Sequence, residues 1–154
     1  RAMNDELKIA SATQRRHGDQ YAVLVMDLDS FKQINDTYGH QAGDQVLKDF
    51  VELIKAYSRK EDRLFRFGGE EFLLLLPNTD QDSLQTVASH LQQQVALQLK
   101  GPGGTVTMSS GGAILQRGEH WETMLQRADQ RLYLAKSAGR NRAIVADPLA
   151  LAQE

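Results

Sequence analysis

The chain has 154 residues, 41% of them hydrophobic, a length that accommodates one well-formed core but not two. Its formal net charge of −2 excludes a general electrostatic attraction to nucleic acid, so phosphate groups would have to be held by a few placed cations. Because no cysteine is present, disulfides, thiolate metal sites and cysteine nucleophiles are excluded. The sequence has no signal peptide and no run of about 18 apolar residues, so we expect a cytoplasmic domain.

Apolar spacing, β-rich runs and glycine breaks predict alternating helices and strands. The expected order is a helix from residue 3 that Gly18 ends, a strand over 21–28, a helix over 46–57, strands over 63–67 and 71–76, a helix over 84–95, a strand over 105–115, a helix from 124 to about 139, and a strand over 143–146. The glycine pair between the two central strands predicts a hairpin.

This order is that of the split βαβ arrangement, so the sequence predicts an α+β, ferredoxin-like fold in which helices flank a central antiparallel sheet. In that topology the first strand lies antiparallel to the third, and Asp27 therefore meets Glu70 and Glu71. The helix after the fourth strand runs back toward the same edge. We therefore expect Lys136 and Arg140, near the end of that helix, to arrive there too.

A carboxylate cluster is expected at this edge, formed by Asp27, Asp29, Glu70 and Glu71. A few hard oxygen ligands, with positions left for water and phosphate, are what Mg²⁺ prefers when it binds with a nucleotide. Each residue alone is explained better as an ordinary charged turn residue. The convergent set favours a site for metal-assisted phosphoryl transfer.

The cations predicted near this edge suit phosphate groups. Lys136 and Arg140 stand four residues apart on one helix face, where they could hold the β- and γ-phosphates. Lys32 could neutralise charge that develops on the transferred phosphate. Taken singly, each is also an ordinary surface residue. The four histidines show no metal-ligand spacing, so none is assigned to the site.

Three segments resemble the motifs of the GGDEF family of diguanylate cyclases. Residues 68–72 read GGEEF, one of two common forms of the signature that names the family. Residues 27–44 resemble its D-x-D-x-F-K-x-I-N-D-x-x-G-H-x-x-G-D run, and residues 128–141 its A-D-x-x-L-Y-x-A-K-x-x-G-R-N block. The resemblance covers nearly the whole chain and implies a fold akin to nucleotide cyclases and polymerase palm domains.

The resemblance implies a diguanylate cyclase, a nucleotidyltransferase that condenses two GTP into cyclic di-GMP and two pyrophosphates with Mg²⁺, for which Mn²⁺ can substitute. Each domain would hold one GTP, so a homodimer is the expected working enzyme. It also implies a single GGDEF domain at the C-terminal end of a longer signalling protein, with residues 147–154 as a tail. An upstream sensory or receiver domain is expected, membrane anchoring of the whole protein is left open, and no nucleic acid polymer is expected as a partner.

The resemblance also implies which residues carry catalysis. Metal binding falls on Asp27, the backbone carbonyl of Leu28 and Glu70, with Glu71 in or near the metal shell. Glu70 is also implied to be the general base for the 3′-hydroxyl, and Lys32 the transition-state stabiliser.

Substrate recognition is implied at four further positions. Asn35 and Asp44 match the positions that read guanine, and Lys136 and Arg140 match those near the phosphates.

An R-x-x-D motif, Arg59 with Asp62, precedes GGEEF at the separation where many family members place an allosteric product site. A bare motif is better explained as a polar turn, but this position favours feedback inhibition by cyclic di-GMP. Two departures from the family pattern matter. His90 stands where an arginine often supports product binding, which weakens the expectation of inhibition. Of the usual D-x-L-T-x-L-x-N-R segment only Arg1 could remain, and this loss is expected to weaken the ordering or activity of the domain.

Two other functions fit part of the sequence. A catalytically weak GGDEF domain that only binds GTP or cyclic di-GMP would be favoured by loss of the acidic signature, which is intact here. A palm-like transferase that makes linear products would need a basic, aromatic-lined strand channel. One tryptophan and a net negative charge do not indicate such a channel. The sequence therefore favours the cyclase.

Overall fold

The structure is a computed structural model that describes residues 2–147, so Arg1 and the predicted tail after Asp147 lie outside the described residues. The elements in chain order are α1 Met3–His17, β1 Tyr21–Leu28, α2 Phe31–Tyr38, α3 His40–Ala56, β2 Arg63–Arg66, β3 Glu71–Pro77, α4 Gln81–Gln98, β4 Lys100–Gly101, β5 Gly104–Thr105, β6 Met108–Ile114, α5 Trp121–Ser137 and β7 Arg142–Ile144.

Five strands form one sheet in the order β2-β3-β1-β6-β7, and β4 pairs with β5 in a separate ribbon. The central strand β1 is antiparallel to β3 on one side and to β6 on the other. Its near-continuous apolar run suits a strand that is buried on both faces, and residues 22–28 are buried. The predicted α+β fold is thus confirmed, including the antiparallel pairing of the first and third strands.

Helices cover both faces of this sheet. Leu24 and Met26 of β1 face a core shared with α3 and α4, whereas Val23 and Val25 face a second core shared with α1 and α5. This division follows from the alternation of side chains along a strand. Within residues 2–147, none of the helices combines the length and the apolar content needed to cross a bilayer.

Helix α5 approaches β6 closely because Gly111 has no side chain. A Cβ atom at Gly111 would lie 2.2 Å from both the carbonyl oxygen of Ala128 and the backbone nitrogen of Leu132. The buried Arg131 of α5 also donates from Nη1 to the carbonyl of Gly112 at 2.8 Å. These contacts hold α5 at a fixed height above the sheet, and so fix the place where its C-terminal end arrives.

Helices α3, α4 and α5 begin three to six residues earlier than predicted, and three other differences have a clear physical cause. Helix α2 was not predicted, because its eight residues hold too few apolar side chains for a clear period. The strand predicted over 105–115 begins only at Met108, since Thr105 pairs with Lys100 in the β4–β5 ribbon. The last strand is Arg142–Ile144 instead of 143–146, because these three residues pair with Ser109, Ser110 and Gly111.

Candidate functional site

The predicted acidic edge forms where β1 ends. Asp27 is in register with Glu71 of β3, and the N–H of Leu28 donates to the carbonyl of Glu70 at 3.4 Å. Residues more than forty positions apart in sequence therefore share one edge of the sheet, as the split βαβ topology predicted.

The buried carboxylate of Asp27 is only partly satisfied within the protein. Its Oδ2 accepts a hydrogen bond from Nζ of Lys136, which reaches the site from the last turn of α5. Its Oδ1 is buried and has no hydrogen-bond partner. Because an unpaired buried acceptor is costly, this oxygen is suited to receive a cation.

Glu70 lies where a negative charge is unfavourable. Burial raises the pKa of its carboxyl, and the charges of Asp27 and Glu71 raise the pKa further, while Lys136 lowers it. The net result is a raised pKa. A cation placed among these three carboxylates would relieve their mutual repulsion.

The turn that carries Glu70 is held by Arg66, which sequence reasoning did not identify. Arg66 donates from Nε to the carbonyl of Gly68 at 3.1 Å and from Nη2 to the carbonyl of Gly69 at 2.5 Å. Its guanidinium also lies 5.9 Å from the ring centroid of Phe72. The available signal was a cation at the end of the strand that leads into the glycine pair.

Asp29 lies beside the cluster, but its carboxylate is bonded elsewhere. Its Oδ1 accepts from the hydroxyl of Ser109 at 2.6 Å, and its Oδ2 accepts from the hydroxyl of Thr107 at 2.6 Å and from the N–H of Asn141 at 3.0 Å. The acidic cluster therefore consists of Asp27, Glu70 and Glu71.

The two residues implied to read guanine lie on neighbouring helices. Asn35 of α2 packs against α3 so closely that a Cβ atom at Gly43 would lie 1.8 Å from its Oδ1. This oxygen is buried and has no hydrogen-bond partner. Asp44 is exposed and lines a cavity of about 480 Å³ together with Leu47 and Phe72. Asp44 thus offers acceptor oxygens beside the hairpin, and Asn35 an unpaired amide oxygen between α2 and α3.

Lys32 and Arg140 are exposed on elements that border the acidic edge. Lys32 stands in the first turn of α2, directly after the end of β1. Arg140 stands in the turn after α5 with φ of 63°, and its N–H donates to the carbonyl of Ala135 at 3.0 Å. Among the predicted cations, Lys136 is thus the one that enters the carboxylate cluster within residues 2–147.

The R-x-x-D motif forms an ion pair in the loop between α3 and β2. Nη2 of Arg59 donates to Oδ1 of Asp62 at 2.9 Å, to the carbonyl of Pro77 at 2.7 Å and to the hydroxyl of Thr79 at 2.8 Å. The side chain of Asp62 is 2% exposed, whereas that of Arg59 is 40% exposed. In this structure the two motif residues therefore bind each other.

His90 of α4 lies next to the same loop. Its ring packs edge-on against Tyr57, which precedes the motif by two positions, with centroids 5.3 Å apart. The loop is near Pro77, which pairs with Tyr21 at the start of β1, whereas the acidic edge is at the end of β1. The motif and the acidic edge thus lie at opposite ends of the central strands.

A metal ion at the acidic edge would need ligands from outside the protein. In the part of the chain that the structure describes, no three His, Asp or Glu side chains are arranged to hold a metal ion by themselves. Mg²⁺ commonly binds through one or two carboxylates, with water and substrate phosphates completing its shell. Asp27, with its unpaired buried oxygen, and Glu70 fit that mode.

Comparisons with known proteins show which family the chain resembles. A family model described as "Diguanylate cyclase, GGDEF domain" matches residues 1–142. The curated diguanylate cyclase DgcP of Pseudomonas aeruginosa is 38% identical over 148 residues, which is 94% of this chain but 22% of DgcP. The chain thus spans about a fifth of that relative's length.

Two solved structures have closely similar folds. The GGDEF domain of DgcB from Caulobacter crescentus, in complex with c-di-GMP, is 35% identical with a TM-score of 0.88, and the match covers 94% of this chain and 88% of that one. The active GGEEF domain of a diguanylate cyclase from Vibrio cholerae is 30% identical with a TM-score of 0.87, and the match covers 93% of each chain.

Proposed function

The chain belongs to the GGDEF family, and we propose that it is the catalytic domain of a diguanylate cyclase, which condenses two GTP into cyclic di-GMP and two pyrophosphates. The observation that carries this proposal is the acidic edge, where Asp27 keeps one buried oxygen unpaired beside Glu70 and Lys136. A domain that had lost turnover would have no need to maintain this costly arrangement of buried charge.

In the proposed reaction, the 3′-oxygen of one GTP attacks the α-phosphorus of a second GTP held by a facing copy of the domain. The new O3′–P bond forms while the bond from the α-phosphorus to the leaving pyrophosphate breaks, and pyrophosphate departs with the electron pair. The carboxylate of Glu70 accepts the proton of the 3′-hydroxyl. A second, identical transfer closes the ring, so the working unit is a homodimer.

We assign divalent metal binding to Asp27, the carbonyl of Leu28 and Glu70, with Glu71 adjoining. Mg²⁺, or Mn²⁺ in its place, would supply positive charge to the phosphate oxygens of the reacting nucleotide. Lys136 now neutralises Asp27 and is placed to exchange that partner for the β- and γ-phosphates.

The remaining cations are assigned to the phosphate groups. Arg140, in the turn after α5, adds a second contact near the β- and γ-phosphates. Lys32, in the first turn of α2, offsets charge that builds on the α-phosphate in the transition state. Both side chains are exposed at the border of the acidic edge and can therefore reach a nucleotide bound there.

Incubation of the protein with GTP and Mg²⁺ at high protein concentration, followed by chromatography of the products, tests the proposal. Cyclic di-GMP and pyrophosphate are the expected products. Linear dinucleotides alone would indicate a palm-like transferase, and GTP binding without any product would indicate a binding module. Either result would overturn the proposed activity.

Guanine selectivity is expected to depend on Asp44, with Asn35 as a second contact. The carboxylate of Asp44 can accept hydrogen bonds from N1 and N2 of guanine, and adenine offers neither donor in that arrangement. Asp44→Ala should weaken GTP binding about ten- to a hundredfold and remove the preference over ATP, as measured by calorimetry with both nucleotides. Asp49→Ala, on the same helix, is the control and should leave both affinities unchanged. Equal affinities of the parent for GTP and ATP would contradict the assignment.

We also propose that cyclic di-GMP inhibits the enzyme at the R-x-x-D motif. The GGDEF domain of DgcB is described in complex with c-di-GMP. Arg59 can bind phosphate or guanine through its fork of N–H donors, and Asp62 can accept from guanine. Because these two residues bind each other here, the product has to open their ion pair first. Inhibition would act on domain arrangement, since the motif lies far from the acidic edge.

Arg59→Ala is expected to weaken cyclic di-GMP binding about ten- to a hundredfold, because it removes hydrogen bonds from a charged donor. Titration of cyclic di-GMP, with binding and initial rate both measured, checks this. Arg63→Ala is the matched control, since Arg63 is also a half-exposed arginine with an acidic partner, Glu6, at 3.3 Å. If the parent and Arg59→Ala bind the product alike, the motif is only a turn.

The proposal extends to the surroundings of the domain. Because the match covers only 22% of the curated relative DgcP, we propose that an upstream sensory or receiver domain controls this domain. We also propose that it works in the cytoplasm. We propose no nucleic acid polymer as a partner. Whether the whole protein is anchored to a membrane is a property of those other segments.

A further inference from the structure

The turn that carries Arg140 has an unusual backbone. Three successive residues have positive φ, with 119° at Gly139, 63° at Arg140 and 48° at Asn141. Residues other than glycine rarely adopt this region, and they remain in it only where their surroundings hold them. Something outside the turn must therefore stabilise it.

The carboxylate of Asp29 is the group that holds this turn against the sheet. Its Oδ2 accepts the N–H of Asn141 at 3.0 Å, across 112 positions in the sequence. The hydroxyls of Thr107 and Ser109, each at 2.6 Å, fix the orientation of that carboxylate. A second support comes from Gln92, whose Nε2 donates to Oδ1 of Asn141 at 2.9 Å. The turn is thus bonded through its own polar groups to Asp29, directly after β1, and to Gln92 of α4.

Asp29 is unsuited to bind a metal ion in this arrangement. Both of its oxygens already accept hydrogen bonds, and the residue is 8% exposed. Asp27, two positions earlier, keeps Oδ1 without a partner. The two aspartates of this D-x-D segment therefore have different surroundings. Asp27 is suited to bind a metal ion, and Asp29 is suited to support the backbone.

We infer that Asp29 is a positioning residue that holds Arg140 beside the triphosphate of the bound nucleotide, an inference that rests on the proposed function. Asp29 does not touch the substrate. It bonds the backbone next to Arg140 and ties the turn after α5 to the end of β1, where the metal-binding residues lie. Loss of this bond would release the strained turn, and the guanidinium of Arg140 would then occupy many positions instead of one.

The test compares four proteins, namely the parent, Asp29→Asn, Arg140→Ala and the double variant. In Asp29→Asn the amide oxygen can still accept from the N–H of Asn141 while the amide nitrogen donates to the hydroxyl of Ser109, so the geometry is kept but the bond to Asn141 is no longer charge-assisted and is weaker. We expect Arg140→Ala to raise KM for GTP about ten- to a hundredfold and Asp29→Asn about three- to tenfold. In the Arg140→Ala background, Asp29→Asn should cause no further rise, because its effect passes through Arg140.

Two further measurements separate positioning from other roles. The Mg²⁺ concentration for half-maximal rate should be unchanged in Asp29→Asn and shifted in Asp27→Asn. Amide hydrogen exchange at Asn141 should be faster in Asp29→Asn than in the parent. If Asp29→Asn raises KM equally in the presence and absence of Arg140, or shifts the Mg²⁺ dependence, the inference is overturned.

Thr107→Val is the alternative variant if Asp29→Asn does not fold, because it removes one support of the same carboxylate. It should raise KM about two- to threefold in the parent background and not at all in the Arg140→Ala background.

Failure of the proposed function has a different signature. A parent that folds but makes no cyclic di-GMP overturns the activity and leaves the positioning role to be judged from GTP affinities of the same four proteins by calorimetry. If the parent makes cyclic di-GMP but the Asp29 and Arg140 substitutions act independently, only the positioning role is overturned.

Discussion

Glu70→Gln is expected to lower cyclic di-GMP synthesis by at least about a hundredfold, because an amide can neither accept the 3′-hydroxyl proton nor supply charge to a metal ion. Folding should be unaffected or slightly improved. The charges of Asp27 and Glu71 raise the pKa of Glu70, so they disfavour its ionised form, and the neutral amide has no such repulsion. Initial rates with GTP and Mg²⁺, together with a melting temperature in metal-free buffer, measure the two effects separately.

Glu122→Gln is the control for this variant, since Glu122 is an exposed glutamate in the first turn of α5. It should retain the rate and the melting temperature of the parent. Robust synthesis by Glu70→Gln would remove Glu70 from its role as base. A marked drop in its melting temperature would instead mean that the lost rate reflects damage to the fold.

Gly111→Ala should reduce the free energy of unfolding by about 3 kcal/mol, the upper part of the usual range for an overpacked core. The added methyl group would lie 2.2 Å from backbone atoms of α5, so the helix has to move. Because Lys136 stands in the last turn of α5 and binds Asp27, the same movement should also lower turnover. Urea unfolding and initial rates check the two effects.

Gly69→Ala is the stability control, because a Cβ atom at Gly69 meets nothing within 4 Å. It should unfold at nearly the urea concentration of the parent. A Gly111→Ala protein with parental stability would show that α5 can shift at little cost, and that the close contact at Gly111 does not determine where Lys136 lies.

The central strands and the acidic edge were predictable from the sequence because they depend on local patterns. The β-rich apolar run of residues 21–28 is typical of a buried strand, and the glycine pair at 68–69 between two β-rich segments predicts a hairpin. Given those two elements and the split βαβ topology, the pairing of Asp27 with Glu71 follows from strand order alone. The arrival of Lys136 follows from the direction of the last helix.

The supporting contacts were not predictable, because they join residues far apart in sequence. The sequence placed Asp29 with the other carboxylates, whereas its bonds to Thr107 and Ser109 depend on the exact register of β1 and β6. Arg66 was missed because its partners are backbone carbonyls, which leave no pattern in the sequence. The short helix α2 carries too few apolar residues to be recognised by periodicity.

The sheet holds the proposed catalytic groups with different firmness, because β1 lies in its middle and β2 at its edge. Asp27 of β1 and Glu71 of β3 stand on strands that are bonded on both sides. The turn that carries Glu70 instead follows β2, the four-residue edge of the sheet, which is not fully buried. Local opening in proteins begins at such edges and reaches central strands last. Fraying of β2 would therefore release the contacts of Arg66 that hold the turn carrying Glu70, while Asp27 and Glu71 stay paired. A partner that braces or loosens this edge could thus adjust the rate without touching the nucleotide and without unfolding the core.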